Sequence, residues 1–547
     1  MRHHSLRSVP EAESYRKSGA WIGATVADAA RDLLASGVDR DVFLGDVQPS
    51  GVGQIIAEAE TMVAALQALG LHEGDVFSFM LPNWREAAVI NLAAAMGGFV
   101  INPIVPIYRE SETSFILSDC SSRLIFIPTV FRRFDYAQMI ERIRSKLPDL
   151  SHVVTVRGAA PGAVRYGDLT EAVGRRPRLP CVDPAALKLI MYTSGTTGSP
   201  KAVLHSHETL ARAVAASSKH WQIGPDDIVL MPSPVTHVSG YSNGLERPFL
   251  DGTRTVLMDD WKADEAVRLI DRYGATMTVA ATPFLQELIT AADRLGSRIP
   301  TMRCFACGGA SVSSSLIQRA NEVFAHACVF RVYGSSEAPF VTLGFTGDDN
   351  RQLAASTDGR IVDYEVRIVD EQDQIVPPGA DGEILAKGPA LFMGYANSNQ
   401  TAESFTADGF FRTGDVGHLV GGDALVITDR KKDLIIRGGE NISAKEIEDA
   451  LHRHPDILEA AAVSMPHARL GEGVCAFIVA RSAIVPTIDE VGKFLAGVGL
   501  ARQKAPERIE PVDSLPRTAS GKIRKDLLRS RIASIVSAEQ GRPPAAV

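Results

Sequence analysis

The alternation of two hydrophobic periods constrains this chain most. Between residues 75 and 350, apolar runs of strand length recur at Val76–Leu81, Arg123–Ile127, His152–Val156, Ile228–Met231, Thr255–Met258, Thr276–Ala280, Met302–Ala306 and Val329–Val332. Amphipathic segments of helical spacing lie between many of them, such as Ala263–Tyr273 and Ser314–Phe324. That alternation implies an α/β fold with layered helices and largely parallel sheets. Residues 360–387 break the rhythm. Arg360–Val369 and Gly382–Lys387 read as short strands around Pro377-Pro378-Gly379, a small β subdomain. After residue 430 the pattern becomes a compact α+β one: Leu434–Ile436, a helix Ala444–His452, strands near Ala460–Val463 and Val474–Val479, and a helix Ile488–Ala496. The expected organisation is a large domain over residues 1–431 and a small mobile domain over 432–547, with a mobile tail after about Ser530. A chain of 547 residues exceeds what one core usually covers, as this division requires.

The longest apolar stretch, Ala87 to Ile107, is interrupted by Asn91, Asn102, Pro103 and Pro106, and no uninterrupted part is long enough to span a bilayer. It reads as a buried helix from Trp84 to Met96, stopped by Gly97-Gly98, then a strand from Phe99. A net charge of -8 leaves no basic footprint for nucleic acid. Six cysteines are too few for a disulfide framework, and no apolar segment follows the basic start Met1-Arg2-His3-His4, so a reduced, cytoplasmic setting is expected. Cys304 and Cys307 form a C-x-x-C inside a strand, where residues three apart face opposite sides, so chance spacing accounts for it.

One stretch carries the chemistry. The apolar run Leu187–Met191 leads into Tyr192-Thr193-Ser194-Gly195-Thr196-Thr197-Gly198-Ser199-Pro200-Lys201. Glycines let backbone N–H groups approach a ligand, hydroxyls add neutral donors, and Lys201 adds a mobile positive charge, a combination suited to a polyphosphate. The spacing is not that of a Walker loop, because Lys201 follows proline and precedes Ala202. Further polar clusters follow expected strands: Cys307-Gly308-Gly309-Ala310-Ser311, Tyr333-Gly334-Ser335-Ser336-Glu337 and Thr413-Gly414-Asp415. In open α/β sheets ligands bind beyond the carboxyl ends of strands. Near the end, Pro516-Arg517-Thr518-Ala519-Ser520-Gly521-Lys522 presents a lysine in a turn rather than in a run of charge.

Taken together and in this order, with Asp429-Arg430-Lys431-Lys432-Asp433, these motifs resemble those of the adenylate-forming superfamily, which includes acyl-CoA synthetases, peptide-synthetase adenylation domains and firefly-type luciferases. The resemblance covers residues 20 to 530 approximately. It implies ATP, magnesium and coenzyme A as cofactors. Thr193, Ser194, Gly195, Thr196, Thr197, Gly198 and Lys201 look like the phosphate loop. Gly308, Gly309, Ala310, Tyr333, Gly334, Ser335 and Ser336 resemble the adenine site. Glu337, with Thr193, resembles the magnesium ligands, and Asp415 and Arg430 the ribose contacts. Lys432 resembles the hinge, and Gly438, Gly439 and Glu440 the segment that reaches the thiol cofactor. Lys522, with Glu337 and Lys201, resembles the catalytic set, and its P-x-x-x-x-G-K setting is similar to sites modified by protein acetyltransferases.

The implied reaction joins a carboxylate to ATP and then to a thiol. In Pro234-Val235-Thr236-His237-Val238-Ser239-Gly240 there is no aspartate for a substrate amine, and Val238 stands where aryl-acid activators carry asparagine. His237, Val238, Tyr241, Gly308 and Gly334 are the expected acyl pocket, and an apolar acid, alicyclic or medium-chain, is the expected substrate. Cyclohexanecarboxylate-type and medium-chain ligases are the relatives the whole chain resembles. Loading of a separate carrier protein, a luciferase-like oxygenation and a non-catalytic relative remain alternatives. The sequence leaves the oligomeric state open.

Overall fold

The computed structural model describes residues 6–45, 50–171, 177–193, 200–309, 312–438, 440–482, 485–518 and 521–539. Two seven-stranded sheets dominate the large domain. In the first, the order runs 328–332, 304–308, 277–280, 228–231, 254–257, 41–44, 50–51, and every pairing except the last is parallel. In the second, it runs 201–206, 187–193, 100–103, 76–79, 124–128, 152–156, 164–165, parallel except where Leu187–Thr193 pairs with Lys201–Ser206. Parallel strands need covering on both faces. Between the sheets the helices Val52–Ala68 and Arg85–Gly97 share one core with Phe43 of the first sheet and Phe77 and Phe79 of the second. That explains why Arg85–Gly97 reads as nearly all apolar: residues 87–97 are buried on every side. Gly98, at φ 67°, ends it.

The small β subdomain is a four-stranded antiparallel sheet, Glu365–Val369, Gly382–Lys387, Phe411–Val420 and Ala424–Arg430. The small C-terminal domain is built on the long hairpin Ile457–His467 and Gly471–Ala480, with helices Ala444–Leu451 and Ile488–Gly497 packed on one core. Its last helix, Lys525–Glu539, corrects the expected mobile tail after Ser530 as far as Glu539; residues 540–547 lie outside the described residues. Ile532 and Val536 are buried against Val463 and Phe477, so burial holds this segment in place. Cys304 and Cys307 face two different cores from one strand, as the period of two requires. No described helix is long and apolar enough to cross a membrane.

One irregularity positions the site. After His237 the chain forms a short turn of helix and then a π-helical segment, Tyr241–Glu246. Two buried charge networks hold it. Lys188 Nζ meets Glu246 Oε2 at 2.5 Å with both side chains no more than 2% exposed, and Asn91 donates to Glu246 Oε1 at 2.6 Å. Arg247, fully buried, pairs with Asp251 at 2.7 Å and donates to Ser217 and Asn243. Removing one partner of a buried pair strands the other charge. Lys188→Ala is therefore expected to cost about 3–5 kcal/mol, and the paired change Lys188→Met with Glu246→Leu much less. Urea unfolding of both variants checks this; equal losses would show that the pair is not coupled.

Candidate active site

The strands 304–308 and 328–332 end side by side, and each runs straight into one of the polar clusters. Glycine is required there by the protein's own packing. A Cβ on Gly308 would lie 2.4 Å from the Val332 carbonyl oxygen, and one on Gly334 would lie 2.5 Å from the Phe340 nitrogen. Beyond these ends two cavities open. A cleft of about 560 Å³ runs between the large and small domains, past Asp415, Arg430 and Arg517. A narrower cavity of about 140 Å³ is lined by His237, Val238, Ser239, Ser242, Phe284 and Phe340, among others. Both are lined by Gly309, Val332, Tyr333, Gly334 and Lys522.

Asp415 is the electrostatic centre of the cleft. It is 3% exposed, accepts a hydrogen bond from the Tyr333 hydroxyl at 2.6 Å and pairs with Arg430 Nε at 2.8 Å. The carboxylate raises the pKa of Arg430, and burial together with Asp415 pushes the Tyr333 phenol up, so it stays a donor. Glu337 accepts from the Tyr395 hydroxyl at 2.9 Å, and Lys201 Nζ lies 5.0 Å from the centre of the same Tyr395 ring. Thr193 faces Lys201 across the antiparallel pair that flanks the phosphate-loop sequence. Ser194, Gly195, Thr196, Thr197, Gly198, Ala310 and Gly439 lie outside the described residues.

Lys522 reaches this centre from the C-terminal domain. Its loop is braced by Thr518, whose N–H donates to the Lys522 carbonyl at 2.7 Å, and by Arg517, which donates to the Gly521 carbonyl at 2.7 Å. Burial pulls the Lys522 amine down to about 8. Arg430 adds repulsion, and Asp415 and Glu337 oppose it. His237 is likewise pushed down to about 4 by burial and by the charge of Lys522, so its ring is neutral and a poor proton acceptor at pH 7.

The other expected residues are placed as follows. Ser335 and Ser336 line the narrow cavity. Tyr241, expected in its wall, is instead fully buried behind it, with its hydroxyl bonded to Asn91; Ser242 takes the wall position. Lys432 lies in the exposed turn between Ala424–Arg430 and Ile435–Arg437. Gly438 and Glu440 belong to the Ile435–Ile442 hairpin and line neither cavity.

Sequence reasoning missed Tyr395 and His205. His205 is buried, held near 4 by desolvation, and its Nε2–H donates to the Ser336 carbonyl at 2.7 Å, fixing the segment that carries Glu337. Its cue was the His205-Ser206-His207 spacing after the phosphate loop. Tyr395 had only its Gly394 neighbour to mark it. Among the described residues no three His, Cys, Asp or Glu side chains gather as a metal cage. Glu337 and Thr193 offer oxygen donors of the kind that hold magnesium together with substrate phosphates, which does not require an all-protein cage.

A large α/β domain whose strand ends face a small domain carrying a half-buried lysine defines an adenylate-forming enzyme. The chain belongs to that superfamily: the AMP-binding enzyme family matches residues 42–396, and the AMP-binding enzyme C-terminal domain matches residues 446–522. It is 32% identical to the medium-chain fatty-acid–CoA ligase of Escherichia coli (strain K12) over 527 residues, 95% of this chain and 92% of that protein. It is 31% identical to the 2,3-dihydroxybenzoate-AMP ligase of Bacillus subtilis (strain 168), over 95% of this chain and 96% of that one. The fold is similar to that of ATP-bound MatB from Rhodopseudomonas palustris, with a TM-score of 0.83 at 26% identity, covering 93% of this chain and 99% of that one.

The electrostatics of Lys522 give a direct test. Its amine is expected to titrate near pH 8, becoming neutral above it. Asp415→Asn removes an anion that favours the charged form, so the midpoint should fall further. NMR of ¹³C-dimethylated lysines reads both midpoints. A midpoint near the ordinary lysine value would contradict the desolvation of the amine.

Proposed function

We propose that the protein activates a carboxylic acid with ATP and then transfers the acyl group to coenzyme A. The position of Lys522, on the wall shared by the cleft and the narrow cavity, carries this reading. A carboxylate oxygen bonds to the α-phosphorus and pyrophosphate leaves; the thiolate then attacks the acyl carbonyl and AMP leaves. The first approach sets negative charge against negative charge. Lys522 supplies the mobile positive charge at the meeting point. Asp415 and Arg430 receive the ribose, Tyr333 and the backbone at Gly308–Gly309 receive the adenine, and Thr193 to Lys201 hold the phosphates. Magnesium held at Glu337 would neutralise phosphate charge as they approach.

The acid fits a cavity of about 140 Å³. An apolar cavity of about 150 Å³ holds one benzene ring. That size favours a single ring, alicyclic or aromatic, over an extended medium chain. His237, neutral and walled in, serves as lining rather than as a base.

In this arrangement Gly438 and Glu440 line neither cavity, and in the proposed mechanism the thioester half has the domain from residue 432 onward rotate about Lys432. Coenzyme A is preferred over a carrier protein as acceptor because a relative of nearly full-length overlap is named as a CoA ligase. All six cysteines are free thiols, which supports a reducing, cytoplasmic setting.

Two experiments test the reading. Lys522→Ala should slow adenylation by about 10²–10³ while a supplied acyl-adenylate is still converted to thioester, and acetylation of Lys522, which removes the same charge, should copy it. Lys432→Pro should do the reverse. Equal loss of both half-reactions in Lys522→Ala would defeat the two-conformation mechanism. Separately, ATP, an accepted acid and coenzyme A should yield an acyl-CoA detectable by mass. Accumulated adenylate that loads only a carrier protein would assign the acceptor otherwise.

A further inference from the structure

We infer that Tyr395 is a positioning residue for the ATP half-reaction. Its one ring holds both Glu337 and Lys201 and keeps the two from neutralising each other, so that the carboxylate is left for a divalent cation and the ammonium for phosphate. The inference rests on the ATP-dependent function proposed above. Tyr395 is buried, whereas Glu337 and Lys201 are half-buried. The Tyr395 hydroxyl donates to Glu337 Oε1 at 2.9 Å, and Lys201 Nζ lies 5.0 Å from the centre of the Tyr395 ring. Among the described residues, no other hydrogen bond or ion pair holds the Glu337 carboxylate or the Lys201 ammonium.

The backbone brings the three residues together. Residues 392–396 run beside the strand Lys201–Ser206. The Met393 N–H donates to the Leu204 carbonyl at 2.7 Å, the Leu204 N–H to the Gly394 carbonyl at 3.0 Å, and the Ala396 N–H to the Ala202 carbonyl at 3.0 Å. The same segment holds Glu337, whose carbonyl accepts from the Phe392 N–H at 2.8 Å. The Tyr395 N–H donates to Thr401 Oγ1 at 2.9 Å, and its ring packs on that of Phe392 with centroids 4.9 Å apart. The ring is thus fixed relative to the strand that begins at Lys201 and to the segment that carries Glu337.

An ammonium and a carboxylate gathered at one side chain attract each other, and partial burial strengthens the attraction. Lys201 and Glu337 nevertheless form no ion pair. The ring attracts the cation, and the hydroxyl gives the carboxylate a charge-assisted hydrogen bond. Each charge therefore has a partner that carries no net charge. A direct pair would occupy both and leave neither for an incoming polyphosphate. Carboxylates that ligate a metal are oriented by outer hydrogen bonds, and losing one such bond typically costs about 10- to 100-fold in metal affinity. Tyr395 holds that place toward Glu337.

The test uses the full chain without acid or coenzyme A. Mn²⁺ binding is measured by EPR with ATP present, and ATP binding by calorimetry in EDTA. Tyr395→Phe keeps the ring and removes the hydroxyl. It should bind Mn²⁺ about 10-fold more weakly than the parent, and metal-free ATP as tightly as the parent. Tyr395→Leu removes the ring as well. Lys201 can then pair with Glu337, and metal-free ATP should bind about 3- to 10-fold more weakly, in proportion to the fraction of lysine captured. The same change in a Glu337→Gln background should cost almost nothing, because no carboxylate remains to capture Lys201. A merely structural role would cost the same in both backgrounds. Parental Mn²⁺ affinity in Tyr395→Phe would overturn the inference while leaving the ATP-dependent function intact. So would a loss of ATP affinity from Tyr395→Leu that is absent, or equal in both backgrounds. If Tyr395→Leu does not fold, the Mn²⁺ affinity of Tyr395→Phe alone decides. Failure of the parent to bind ATP, with or without Mn²⁺, would overturn the proposed function and the inference with it.

Discussion

The site depends on one buried negative charge. Asp415 sits at 3% exposure where the small β sheet, the end of a large parallel sheet and the C-terminal loop converge. A carboxylate taken out of water is tolerable only when its oxygens are paired. Tyr333 supplies a hydroxyl from the large sheet and Arg430 a guanidinium from the neighbouring strand, so compensating the charge also brings the elements together. The same field acts on Lys522. Desolvation would discharge that lysine; Asp415 and Glu337 keep its pKa from falling further. The charge of Lys522 is thus balanced between burial and anions, the setting in which active sites tune their groups.

The acyl side is organised by opposite means. Its wall is small and mostly apolar, yet the helix that forms it is held from behind by Lys188, Glu246 and Arg247, three of the most deeply buried charges of the chain. Such pairs add little net stability, because desolvation cancels much of the attraction. Their value here is geometric: they hold the turn that sets the cavity's width and its polar atoms. In the proposed function a rigid wall of this kind would select the acid by shape, whereas the charged cleft would receive the ATP.

The two domains are joined through the same neighbourhood. Asp429, next to Arg430, accepts from the Ala444 N–H at 2.6 Å, and Ser443 donates to the Thr428 carbonyl at 2.7 Å, so the first helix of the small domain is docked directly on the last strand of the large one. Within the small domain Lys525 pairs with Glu448 at 2.8 Å and Arg529 with Asp433 at 2.8 Å. These pairs lock the lysine-bearing loop and its following helix to the junction. Within the small domain, Lys522 and the helix that follows it are thus held as one unit with the residues next to the junction.

Local periodicity determined the regular elements. His152–Val156, Ile228–Met231, Ala263–Tyr273 and Gly382–Lys387 occur with the boundaries their patterns imply, because a strand buried on both faces and a helix with one apolar stripe each leave a mark within a few residues. The polar motifs at Thr193, Tyr333 and Lys522 were equally legible, since each ends or follows a strand or sits in a loop; Asp415, read as part of a turn, instead lies within the strand Phe411–Val420 and pairs across it with Arg430. What sequence could not give was long-range pairing. Tyr395 to Glu337, His205 to Ser336 and Asn91 to Glu246 join residues 58, 131 and 155 positions apart, and no local pattern reports such contacts. The same holds for Tyr241 and Ser242. Side by side in sequence, Ser242 belongs to the cavity lining and Tyr241 does not, and only the π-turn and the buried charges beneath it decided which is which.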